Sequence, residues 1–100
     1  MTITKEQEDG KLTLMLEGWL DHESSPEVGA IIDSLTGIEE LVMDFGKVDY
    51  ISSAGIRILV AAHRKTRELG AKFSVIHVND DVMNILSMTG LDKKLGIKQD

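Results

Sequence analysis

Between Lys11 and Leu20 apolar and polar residues alternate, with Leu12, Leu14 and Leu16 on one side and Thr13, Met15 and Glu17 on the other. A period of two predicts a strand with one buried face. Thr2 to Lys5 reads as a short strand before it, and Asp9-Gly10 between them as a hairpin turn, so the chain is expected to open as an antiparallel pair. The period then changes to that of a helix. Ser24-Ser25-Pro26-Glu27 spells a start: a serine cap, proline in the first turn, and a glutamate placed to complete a capping box. Val28, Ile31, Ile32 and Leu35 form the apolar stripe, and Gly37 is the expected stop.

Leu41, Val42, Met43 and Phe45 make a nearly continuous apolar run, as in a strand covered on both faces, and Gly46 is expected to end it. From Ile56 the spacing is helical again. Ile56, Leu59, Val60 and His63 lie on one stripe, Arg57, Arg64 and Glu68 on another, and the helix is expected to run to about Leu69 and stop at Gly70. Phe73 to Val78 predicts another strand. Asn79 or Asp80 then caps a third helix with Val82, Ile85, Leu86 and Thr89 inward and Gly90 at its end; Leu91 to Leu95 adds one further turn and Ile97 an edge contact. This order predicts an α/β fold, a mixed sheet of four to five strands with about four helices packed against it and right-handed crossovers joining the later strands.

Residues 1–100 suffice for a single domain with one core, and 42% hydrophobic residues is an ordinary globular composition. Without cysteine there is neither a disulfide framework nor a thiolate metal site. The polar, acidic start does not read as a signal peptide, and no apolar run approaches the roughly 18 residues of a membrane span. A cytoplasmic protein is expected. The net charge of −6 is uneven: residues 1–52 hold three lysines and twelve carboxylates, whereas residues 54–72 hold five cations against Glu68. Such a field does not favour nucleic acid, which rewards broad positive surface. The basic helix face is either solvated or a docking face for an acidic partner.

The chemistry gathers between the run ending at Phe45 and the helix beginning near Ile56, at Ile51-Ser52-Ser53-Ala54-Gly55. Either serine can cap the helix, whose first four amides lack intrahelical acceptors. A phosphate on that hydroxyl would lie at the positive end of the helix dipole, which stabilises anions, and Gly55 would leave the backbone open to close approach. Asp44-Phe45-Gly46 matches a kinase metal-binding triplet in spelling alone, since the glycine-rich loop and catalytic-loop motif are missing. The hydrolase elbow Gly-x-Ser-x-Gly is also absent, with Ile51 two residues before Ser53. His22, His63 and His77 are scattered and lack the spacing of a metal site. Asp21 and Asp49 are either a carboxylate pair at one end of the sheet or turn and cap residues. Met88 is either core or, with Leu91 and the joint, part of an adaptable contact patch.

The arrangement resembles the STAS domain, the fold of the anti-sigma factor antagonists, whose members carry Asp-Ser-Ser-Gly or Asp-Ser-Thr-Gly at this joint. The family's acceptor serine falls on Ser53, with Ser52 where the family usually has aspartate and Ala54 after the acceptor. Leu20-Asp21-His22 resembles the family's Leu-Asp-His, Leu41 to Phe45 its central strand, and Met88-Thr89-Gly90-Leu91 its Met-Ser-Gly-Leu, so the likeness spans almost the whole chain. It implies a STAS-like mixed sheet and a monomeric binding switch with no catalytic activity and no cofactor. The unphosphorylated form would bind an anti-sigma factor that is also a serine kinase, freeing a sigma factor; phosphorylation at Ser53, or alternatively Ser52, would undo the binding, and a serine phosphatase would reset it. Asp21, Ser52, Ser53, Ala54, Gly55, Ile56, Arg57 and Met88 would meet the partner. The alternatives are a STAS subunit of another assembly, such as a stress-signalling complex or the cytoplasmic part of a lipid transporter, and last a small hydrolase using Ser53.

Overall fold

The computed structural model describes residues 1–97 and Gln99. Its elements are β1 (Thr2–Glu8), β2 (Lys11–Leu20), α1 (Ser25–Asp33), β3 (Glu40–Ile51), α2 (Ser53–Leu69), β4 (Lys72–Ile76), α3 (Asp80–Met88) and α4 (Leu91–Lys94). One sheet runs in the order β1-β2-β3-β4; β1 lies antiparallel to β2, and β2, β3 and β4 are mutually parallel. The α/β fold with a four-stranded mixed sheet and four helices is the expected one.

The opening hairpin follows the pattern closely. Asp9 and Gly10 both take positive φ (54° and 106°), the geometry of a two-residue turn between right-twisted strands, and Glu8 pairs with Lys11. β1 is three residues longer than expected because its ladder continues from Thr2 to Glu8 while Ile3 alone is even half-buried, so hydrophobicity carries no trace of it. In β2, Leu12, Leu14, Leu16 and Leu20 enter the core.

β3 departs most from expectation. It does not end at Gly46 but runs on to Ile51. Its register against β2 slips by one residue between Met15 and Glu17 and again between Gly18 and Trp19, each time with the extra residue on β3. The inward residues of β3 are therefore Leu41, Met43 and Phe45 at a spacing of two, then Val48 and Ile51 at a spacing of three. Each bulge re-phases the strand so that its apolar side chains stay opposite those of β2. Val42, on the other face, is buried too.

The helices cover one face of the sheet. α1 buries Val28 and Ile32, with Leu35 following; it ends at Asp33 with Ser34 as its C-cap, and Gly37 (φ 67°) lies in the loop beyond. The expected capping box does not form: Ser24 makes no side-chain bond to the α1 amides. In α2 the buried stripe is Gly55, Leu59, Ala62 and Thr66, not Ile56, Leu59, Val60 and His63; the other three of that set are half-buried flanks. Thr66 tolerates burial because its hydroxyl is bonded within the helix, to the carbonyls of Ala62 or His63. Gly70 stops α2 in the left-handed conformation, as expected.

β4 stops at Ile76, so His77 (φ 60°) lies beyond the strand rather than in it. α3 buries Val82 and Leu86, while Ile85 is half-buried and Thr89 is an exposed C-cap. Ile97 is a core residue rather than an edge contact. Among the described residues no helix is long and apolar enough to cross a membrane.

Candidate functional site

The joint is shorter than the sequence periodicity suggests. β3 ends at Ile51, Ser52 is extended (φ −98°, ψ 179°), and α2 already begins at Ser53. The two serines divide the roles that either one might have filled. Ser52 is the cap: its Oγ accepts from Gly55 N at 3.4 Å, and its carbonyl accepts from Ile56 N at 2.9 Å. Its own amide donates to Leu20 O at 3.0 Å, tying the joint to the end of β2. Ser53 is exposed at the first helical position, beside amides that by position have no acceptor inside the helix. No acidic residue stands in this first turn.

Gly55 explains how α2 starts so close to the sheet. A Cβ at this position would lie 2.5 Å from Leu20 O, 2.7 Å from Ile51 Cγ1 and 2.9 Å from Leu20 Cγ. Only a residue without a side chain lets the first turn rest on the β2 terminus. Ala54 and Ile56 flank it half-buried, and Arg57 is exposed one turn after Ser53.

Asp21 follows directly on Leu20. Its Oδ1 accepts from the amides of Glu23 (3.0 Å) and Ser24 (3.1 Å), which is the turn role rather than that of a carboxylate pair. The Ser24 amide is the main cause holding the Asp21 carboxyl below its ordinary value of 3.8, against an opposing desolvation. Asp49 lies exposed inside β3 instead of in a loop. Ser24 Oγ accepts from Asp21 N at 3.0 Å and donates to Trp19 O at 2.8 Å, which is why it is not available to cap α1. The Leu20-Asp21-His22 segment and the joint do meet, in a groove between α1 and α2 lined by His22, Pro26, Ala54, Arg57 and Ile58. Gly29 lets α1 approach there, with its Cβ position 3.2 Å from Ile58 Cδ1.

Met88 stands 81% exposed, in keeping with a contact patch and against core packing. It lies on α3, whose main packing partners are α4 and β3, the strand that ends at the joint. Leu91 is buried and cannot share that patch.

Sequence reasoning missed three features. Trp19 and Tyr50, cross-strand partners, are exposed with ring centroids 5.5 Å apart. Their signal was that each lies next to an inward residue, Leu20 and Ile51, and so faces the other way. Asp44 Oδ1 accepts from Gly46 N at 2.9 Å and pairs with His77 Nδ1 at 3.0 Å. Asn79 not only caps α3 but also donates from Nδ2 to Val48 O at 2.9 Å, a contact between distant segments with no local trace.

Known proteins share this architecture. The anti-sigma F factor antagonist of Paenibacillus polymyxa is 27% identical over 100 residues, spanning 97% of this chain and 86% of that protein. The anti-sigma factor antagonist SpoIIAA in its unphosphorylated form has the same fold, with a TM-score of 0.85 at 14% identity over 99% of this chain and 88% of that one. The phosphorylated Bacillus SpoIIAA gives 0.79 at 14% identity over 99% and 91%. A sulfate transporter family protein from Wolinella succinogenes gives 0.80 at 16% identity, over 89% of this chain and 74% of that one. The STAS domain profile matches residues 2–100, and with the strand-to-helix joint built as described, the chain belongs to the STAS domain family.

Proposed function

We propose that this chain is an anti-sigma factor antagonist acting through a phosphorylation switch at Ser53. The unphosphorylated joint binds an anti-sigma factor that is itself a serine kinase and so releases a sigma factor. Phosphate on Ser53 ends that binding, and a serine phosphatase restores it. The setting is the cytoplasm, and ATP and magnesium belong to the kinase. The observation that carries the reading is the division between the serines: Ser52 is engaged as the cap, while Ser53 is exposed at the start of a helix with no carboxylate in its first turn.

The effect of the phosphate follows from where its charge goes. At the helix N-terminus an added charge of about −1.5 to −2 meets unpaired amides and the dipole, so the fold is unharmed or favoured by roughly 0.3–2 kcal/mol. Under a partner surface closing on the joint, the same charge must be desolvated, at a cost of several kcal/mol if unpaired. Binding responds and folding does not. Ala54, Ile56 and Arg57 supply the rest of the contact, with His22 across the groove, while the buried Gly55 holds this turn against the sheet.

Phosphopeptide mapping of the protein from its own host tests this. Trypsin places both serines in one peptide, Val48 to Arg57. Phosphate on Ser53, with Ser53→Asp folded but unable to bind the kinase in calorimetry and Ser53→Ala binding normally, is the expected result. A Ser53→Asp chain that binds as tightly as wild type would falsify the switch. Phosphate on neither serine, under any growth condition or with the co-purifying kinase, would make the joint a fixed docking surface of a STAS subunit in another assembly.

A further inference from the structure

We propose that Trp19 and Tyr50 form a second anchor for the partner that binds the joint, and that the anchor takes an arginine side chain of that partner. This rests on the anti-sigma reading of the joint. Trp19 and Tyr50 are the chain's single tryptophan and single tyrosine. They are 60% and 44% exposed, on the sheet face opposite the helices, with ring centroids 5.5 Å apart and planes at 56°. Aromatic rings of this size bury about 150–250 Å² each when covered, and they are enriched among the residues that dominate interface affinity.

Position links the pair to the joint. The next rung of the ladder, Leu20 against Ile51, leads straight to Ser52, whose amide bonds Leu20 O. At a rise of about 3.3 Å per residue Tyr50 is roughly 7 Å from Ser52 along the chain. A surface that closes over Ser53 therefore has the aromatic pair at its margin. The platform is also held in place: the carbonyl of Trp19 accepts from Ser24 Oγ, and the rings support each other.

Charge identifies the occupant. Trp19 shares a groove of about 370 Å³ with Met1, Ser24, Asp21, Glu23 and Glu27, in which three carboxylates outweigh the one amino group of Met1, and Asp49 precedes Tyr50. Amides of its own turn hold the Asp21 carboxyl below its ordinary value. Lys47, on β3, stands in register with Glu17. A second copy of this chain would bring the same negative surface against itself. A guanidinium fits instead: it stacks flat on an indole and still offers in-plane donors to the flanking carboxylates, which a lysine ammonium cannot do together.

Because Trp19 is the sole tryptophan, its fluorescence reports this surface directly. In the free protein at low salt, caesium should quench Trp19 several-fold better than iodide; equal or inverted quenching would overturn the acidic platform. With the kinase that phosphorylates Ser53, wild-type emission should shift to the blue on binding. In calorimetry Trp19→Ala and Tyr50→Ala should each weaken binding about tenfold or more, with Trp19→Phe between them and wild type, and the variants should lose less affinity than wild type as salt is raised. Should Trp19→Ala fail to fold, the wild-type emission shift and Tyr50→Ala still decide. Unchanged emission, or variants that bind like wild type while the kinase still binds and phosphorylates the chain, would refute the anchor and leave the switch standing. If no kinase binds wild type, the functional reading fails and the anchor with it.

Discussion

Ser52 opens α2 and Asn79 opens α3, and each follows a parallel strand of the same sheet. Both are extended, and both turn a side-chain oxygen toward the amide three residues on. The resemblance stops there. Asn79 accepts from Val82 N at 2.8 Å and also donates to Val48 O, and the first turn of α3 holds Asp80 and Asp81. Ser52 accepts from Gly55 N at 3.4 Å, and the first turn of α2 holds no acid. Of the four helices described, α2 alone lacks a carboxylate there. At the first helical position α3 has Asp80, and α2 has Ser53. One helix start is closed by its own residues; the other has the same dipole and a hydroxyl in the place of the charge. Phosphorylation of Ser53 would give α2 what α3 already carries, which is why the fold is expected to accept it.

Substitutions at the two starts separate them. The largest effect is expected at Gly55→Ala. In an ordinary helix this change gains up to roughly 1 kcal/mol, but here the new methyl meets the Leu20 carbonyl, and a loss of about 2–3 kcal/mol is expected in urea denaturation. A stabilised variant would mean that α2 does not rest on β2. Asn79→Ala comes next, at about 1–2 kcal/mol, because it removes a short cap bond and leaves Val48 O without its side-chain donor. Ser52→Ala should cost only about 0.5 kcal/mol, since its cap bond is long; equal losses at the two caps would erase the contrast. Ser53→Asp should raise stability by roughly 0.3–1 kcal/mol at low salt and lose that gain in high salt, as a charge at a helix N-terminus does.

The smallest effect belongs to Asp21, in the turn beside the joint. Its folded carboxyl titrates below its ordinary value, so the unfolded chain takes up the proton first. The stability it contributes is complete above that ordinary value and lost as pH falls through the folded one. The lead of wild type over Asp21→Asn should therefore hold at neutral pH and shrink as the pH falls to and below the ordinary value of 3.8 in chemical denaturation. A lead that grows on acidification would reverse the assignment.

Much of this was legible because it is local. The period of two in β2, the glycine stop at Gly70 and the polar residues before α2 and α3 act within a turn or a strand of their own position. Where distant segments decide, the pattern misleads. The helical spacing after Ile56 names a stripe through His63, yet the contact of Gly55 with Leu20 turns α2 so that Ala62 and Thr66 face inward. Ser24 has the right neighbours for a capping box, yet its hydroxyl oxygen accepts from the Asp21 amide and its hydrogen goes to the Trp19 carbonyl. The second half of β3 has no regular alternation, because two bulges change the inward spacing from two to three.

By itself, then, the sequence determined the order of elements, the α/β class and the place of the joint, all of which follow from short-range periodicity and turn chemistry. It left open which serine caps and which is exposed, whether Asp21 belongs to a turn or a pair, and that Trp19 meets Tyr50. Those were decided by the register of β2 on β3 and by the closeness of α2 to the end of β2. Both are properties of segments about thirty residues apart, and no local pattern encodes the distance between them.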